Sequence, residues 1–185
     1  MAQSPVTITI AAGADPVQTF FAENLAIAES AKFYEFVGRF LALWSRIELA
    51  INQLVNPLHQ PDSLPDEFKR YPISLDRKLM LLDYYFGRYE DFAPFRGRYA
   101  EVRNSIKALS EDRHNLTHMM YSGFTTYKGE TSLFLQTFHK QKLHKKRYYS
   151  LKKIEKLLTR AGYTAMLFLL LVSEVQQALL ARRRV

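Results

Sequence analysis

The sequence predicts a mainly α fold, a bundle of about five helices with a small antiparallel β-hairpin insertion near 123–149. Three observations carry this expectation. Phe33, Val37, Phe40, Trp44, Ile47, Ile51 and Leu54 recur at steps of three and four, which places them on one helix face. After Gly123 the period changes to two, with Phe124, Thr126 and Lys128 alternating with Thr125 and Tyr127. Residues 161–180 are apolar almost all round, as expected of a helix that runs through a bundle core.

Taken in order, residues 1–14 read as an N-terminal arm or edge strand, and residues 15–185 as one domain. Asp15 before Pro16 is an N-cap followed by Pro at the first helical position. Two helices follow, about 16–29 and 31–56, with Gly38 the weak point of the second. Asn56-Pro57 and the stretch from Pro61 to Pro65 form a loop. Ser74 caps a helix whose face is Leu75, Leu79, Leu82, Tyr85 and Phe86. Pro94 opens the next helix, 94–121, which Gly123 stops. Lys128-Gly129-Glu130 is a turn, 133–138 is a second strand and 143–149 a third. Ser150 starts the last helix, in which Gly162 is a place to kink or break.

Composition narrows the classes. The chain has no Cys, which excludes disulfides and thiolate metal sites. Its start lacks the basic and apolar regions of a signal peptide. The most apolar run, 165–172, falls short of the roughly 20 residues a membrane span needs, so a soluble, cytoplasmic protein is expected. A net charge of +8 favours polyanionic partners, or else a solvated basic surface.

The chemistry concentrates in one stretch. Tyr99, Val102, Ile106 and Leu109 form an apolar stripe that resumes at Leu116 and Met120. Arg113 falls on that stripe, where a charge must be paired or must line a site. His114, Asn115 and His118 follow it. On an ideal helix Arg113 and His118 are about 140° apart and flank one ridge. Arg binds phosphate oxygens and stabilises charge developing in a transition state. His moves a proton to or from a ribose 2′-hydroxyl or a leaving 5′-oxygen. Arg113 and His118 thus suffice for cleaving RNA without a metal, and no cofactor is implied. A structural alternative pairs Arg113 with Glu48, which lies unexpectedly on the stripe of the 31–56 helix, and leaves His118 on the surface. A zinc site at His114 and His118 lacks both the Glu base of zinc-protease helices and an evident third ligand.

Two further stretches stand out. Lys140, Lys142, Lys145, Lys146 and Arg147 lie beside Tyr148 and Tyr149 in a segment without an acid, as suits nucleic acid or a solvated hairpin edge. The aromatics Phe33, Phe36, Phe40 and Trp44, and those between Tyr84 and Tyr99, read as core or dimer surface.

The stretches Leu43-Trp44-Ser45-Arg46-Ile47-Glu48, Ser74-Leu75-Asp76-Arg77-Lys78-Leu79 and Glu111-Asp112-Arg113-His114-Asn115-Leu116-Thr117-His118 together resemble the HEPN superfamily (higher eukaryotes and prokaryotes nucleotide-binding). Its signature is an Arg, four to six residues, then His, with a polar residue after the Arg. Arg113, His114 and His118 match it, over a resemblance spanning 31–180. Many members carry Asn after the Arg and Gly after the His, where this chain has His114 and Met119. The resemblance implies a metal-independent endoribonuclease of toxin–antitoxin or antiphage-defence type. It would act as a homodimer whose two Arg–His motifs share a cleft, with an antitoxin or defence-system partner. His118 would be the general base or acid and Arg113 the phosphate ligand. Glu48 would position Arg113, His114 and Asn115 would orient the substrate or the partner motif, and the basic segment 140–153 and the Arg tail would guide RNA. Members that have lost catalysis imply the alternative, an RNA-binding or protein-interaction module.

Overall fold

A long amphipathic helix, α1 (Ser30–Leu58), opens the described part of the computed structural model, residues 30–139 and 142–182. The expected arm at 1–14, the helix at 16–29 and residues 183–185 lie outside the described residues. Phe33, Phe40, Trp44, Ile47, Ile51 and Leu54 are all buried, so the predicted stripe is the core face of α1. The helix is continuous through Gly38 and runs past the expected end at 56 to Leu58, so that Pro57 lies inside its last turn. Proline has no N–H to give the carbonyl four residues back. Gln176 of the last helix supplies a donor instead, its Nε2 lying 3.5 Å from the Gln53 oxygen.

Two short 3-10 turns (Pro61–Ser63 and Asp66–Phe68) lead to α2 (Leu75–Arg88), whose first turn Ser74 caps by accepting from Arg77 N–H. A further 3-10 turn (Glu90–Phe95) holds Pro94, and α3 (Arg96–His118) follows it. Asp83 of α2 receives Arg103 Nε at 2.5 Å and the Tyr99 hydroxyl at 2.7 Å, which ties α2 to α3. Of the aromatic runs, Phe33, Phe40, Trp44, Phe86, Phe92 and Tyr99 are core, whereas Tyr89 is exposed; Phe86 stacks on Tyr99 at 4.1 Å and packs on Phe92 at 5.0 Å.

α3 ends three residues before the sequence expectation, and Gly123 is not its stop. Thr117 turns its hydroxyl back to the Arg113 carbonyl at 2.8 Å. Met119, extended and buried, then draws the chain into a strand. Met120 therefore belongs to β1 (Met120–Tyr127) and not to the helix stripe. Gly123, at φ +110°, sits where the β1 register shifts between Tyr121 and Phe124, a bulge that favours glycine. Lys128 and Gly129, both at positive φ, turn the chain into β2 (Glu130–His139), and β3 (Lys142–Ser150) follows. The three strands form an antiparallel sheet in the order β1-β2-β3, with the third strand that the sequence predicts at 143–149.

α4 (Leu151–Arg182) begins where Ser150 Oγ accepts from Lys153 N–H. It packs on α1 and α3 and is unbroken at Gly162, so the expected kink is not met. Residues 151–180 also pass as a membrane span by length and composition, with mean hydropathy 1.5, although a third of that window is buried in the bundle. The uncharged part, 161–173, extends about 20 Å against a hydrocarbon core of about 30 Å. A buried core helix satisfies the same criterion.

Strand alternation decides how the sheet meets the bundle. Leu133, Leu135 and Tyr149 face inward and are buried, and Phe124 of β1 meets Phe33 of α1 at 5.0 Å. Tyr149 is wholly buried, so its hydroxyl needs partners. It donates to Asp112 Oδ1 at 2.7 Å and accepts from Asn115 Nδ2 at 3.2 Å, both on α3. Burial and the Asp112 carboxylate together push the Tyr149 phenol well above its ordinary range. Tyr149→Phe should therefore lower stability in urea titrations by about 1–3 kcal/mol, because a buried amide loses its partner. An unchanged midpoint would mean that the sheet is held on by apolar packing alone.

Candidate active site at the end of α3

The last two turns of α3 bring Arg113, His114 and His118 together. Long helical side chains lean toward the N-terminus, so His118 tilts back over the preceding turn while the Arg113 stem reaches across. The two groups of the predicted ridge thus meet: Arg113 Nη1 lies 3.4 Å from His118 Nε2. A guanidinium only donates, so in a hydrogen bond between the two Nε2 is the acceptor. The His114 ring packs on His118, with centroids 4.9 Å apart. Both His side chains are exposed.

Arg113 is not buried as its place on the stripe suggests. Its side chain is 33 % exposed, at the edge of the core. Its Nη2 lies 3.7 Å from Glu48 Oε1, the pair expected from sequence. Glu48 is in turn held by Trp44, one helical turn earlier, whose buried indole donates to the same oxygen at 2.7 Å. An indole N–H inside a core needs an acceptor. Its demand fixes the carboxylate, the carboxylate faces the guanidinium, and the guanidinium meets the imidazole. Beside Glu48 opens a cleft of about 220 Å³, lined also by Ile51, Asn52, Ile73, Leu75 and Lys78.

Asn115 does not join this surface. It is 2 % exposed and turned to Tyr149, so it lines no open site and cannot meet a substrate there. On residue type it resembled a site residue, and only the buried hydroxyl across the sheet reveals its position. Among the described residues no three His, Asp or Glu side chains cluster as a metal site would require.

The basic segment divides by strand alternation. Lys145 and Arg147 face inward and share one acid on α3, with Lys145 Nζ at 3.2 Å and Arg147 Nη2 at 2.9 Å from Glu111 Oε1. Lys146 faces outward and is exposed. Lys140 lies outside the described residues, as does the side chain of Lys142. The counter-charge Glu111 was invisible in the segment itself, because it stands 34 residues earlier than Lys145.

Comparison with models of protein families, with curated proteins and with solved structures finds no match to this chain. Function is therefore read from the fold class, a mainly α bundle with a three-stranded antiparallel sheet, and from the exposed Arg–His pair that it carries.

Arg147 and Lys145 hold the Glu111 carboxyl below its ordinary range. The stabilisation from that depressed group is present above the ordinary carboxylate range and is lost as pH falls through the lowered value. Glu111→Gln should thus melt below wild type at neutral pH, and the gap should close as the pH is taken below about 4. A gap that persists in acid would show that the carboxylate charge is not what Glu111 contributes.

Proposed function

We propose that this chain is an HEPN-like, metal-independent endoribonuclease that acts as a homodimer with a composite Arg/His site. The observation that carries the reading is the contact of Arg113 with the exposed His118, 3.4 Å apart and open to solvent. His118 Nε2 takes the proton of a ribose 2′-hydroxyl, whose oxygen attacks the adjacent phosphorus. Arg113 donates to the phosphate oxygens as negative charge builds on them. The leaving 5′-oxygen needs a proton, which His118 of a second copy is suited to give across a shared cleft. His114 orients the His118 ring. Lys146, and Lys140 and Lys142 by their charge, guide the RNA backbone. The cleft beside Glu48, the acid that faces Arg113, leaves room for part of a nucleotide. The net charge of +8 supports a polyanionic substrate, and a defence or toxin–antitoxin role follows from the resemblance to HEPN domains.

One observation favours a second reading. Glu48 already engages Arg113 at 3.7 Å, as in a non-catalytic RNA-binding or protein-interaction module of the same fold, whose Arg serves structure alone.

Purified protein incubated with RNA in EDTA separates the two. The nuclease reading predicts cleavage by wild type and a loss of at least about 100-fold in His118→Ala and in Arg113→Ala. Equal activity in all three would sink it, and RNA bound but uncut would favour the module. Cleavage abolished by EDTA would return the two His residues to a metal.

A further inference from the structure

The solvent face of the sheet carries a column of three rings. Tyr127 on β1 and Tyr148 on β3 stack with centroids 4.2 Å apart and planes 4° from parallel. Phe134 on β2 stacks on Tyr148 at 5.1 Å and 14°. Because β2 lies between β1 and β3, the two tyrosines reach over it, and Ser132 on β2 is left only 1 % exposed. Lys128, Lys146 and Lys153 surround the column, with Glu130 as the acid among them. Lys128 Nζ sits 5.5 Å from the centre of the Tyr127 ring. Lys153 Nζ lies 3.4 Å from the Tyr148 carbonyl oxygen and 4.0 Å from the Tyr149 ring. A shallow pocket of about 180 Å³ opens beside Tyr127 and Tyr148, with the Ser150 hydroxyl at its wall.

We propose that this outer face is a stacking platform for the unpaired bases of single-stranded RNA. Tyr127 is 42 % exposed, so the column ends in a ring that water touches. A base extends such a column, and stacking tolerates any base because each has a π-face. The base displaces the Lys128 ammonium from Tyr127, and that ammonium then meets the phosphate of the same nucleotide. Lys146 lies on the same face for the next phosphate. An apolar protein segment would need no such ring of cations, and a duplex would offer no free base. Alternation assigns the basic segment two jobs: Lys145, Arg147 and Tyr149 face inward to α3, whereas Lys146 and Tyr148 face outward. The choice of RNA rests on the nuclease reading, but the test below measures binding and not cleavage.

The test is fluorescence anisotropy on the full chain carrying His118→Ala, with labelled oligo(U) of about ten nucleotides. Oligo(dT), an RNA duplex with the same number of phosphates and phosphatidylserine vesicles are run beside it. Tyr148→Ala and Tyr127→Ala should each weaken oligo(U) binding by about tenfold or more, while Tyr148→Phe keeps it. Circular-dichroism melts identify the variants that fold, and Tyr127, at the exposed end, provides the test if Tyr148→Ala unfolds. Tighter binding of oligo(U) than of oligo(dT) assigns the platform to RNA, and equal binding assigns it to single strands generally; both uphold stacking. Equal affinity for the duplex, vesicle binding in place of oligonucleotide binding, or folded Ala variants that bind as wild type would overturn it. A protein that cuts RNA regardless of Tyr148 would overturn this inference alone, and one that binds through Tyr148 without cutting would overturn only the nuclease.

Discussion

The buried hydroxyl of Tyr149 is the constraint on which the rest depends. A phenol with no access to water must find its partners inside the protein. It finds Asp112 and Asn115, the residues on either side of Arg113 and His114. That one demand presses β3 against the last turns of α3 and fixes its face. With Tyr149 inward, Arg147 and Lys145 also turn inward to Glu111, while Tyr148 and Lys146 turn out. A slip of one residue would reverse every one of these assignments. The three-stranded sheet therefore braces the end of the helix that presents Arg113 and His118.

A second buried polar group acts from the other side. Trp44 lies in the core face of α1, and its indole N–H draws Glu48 into place one turn along. Glu48 would otherwise be an exposed carboxylate with many rotamers. Held by the indole, it faces Arg113, and Arg113 in turn faces His118. In the proposed nuclease this chain supplies preorganisation, since the guanidinium that must meet the phosphate is already aimed. The Glu48 contact, at 3.7 Å, is long enough to yield when a phosphate arrives.

Much of this was legible in the sequence, and the misses share a cause. The helices were readable because packing demands a period of 3.6, and the sheet because the period drops to two. The Glu48–Arg113 pair was legible because both are charges on apolar stripes. The sequence places the end of α3 three residues late, because Gly123 looks like a helix stop when it is a strand bulge. By residue type Asn115 belongs to the site, since nothing nearby in sequence shows that a tyrosine 34 residues later claims its amide. The stack of Tyr127, Phe134 and Tyr148 was hidden for the same reason: it joins three strands, and strand pairing is not local. Sequence periodicity reports which face of an element is apolar, whereas polar side chains are assigned by partners far along the chain.

The most direct test of the central claim is the chemistry of the ends that cleavage leaves. The 2′-hydroxyl mechanism at Arg113 and His118 predicts that the full chain, in EDTA, cuts RNA to fragments with 2′,3′-cyclic phosphate and 5′-hydroxyl ends, read by mass spectrometry. DNA of the same sequence should stay intact, because it lacks the attacking oxygen. Fragments with 3′-hydroxyl and 5′-phosphate ends, or DNA cut as readily as RNA, would contradict it.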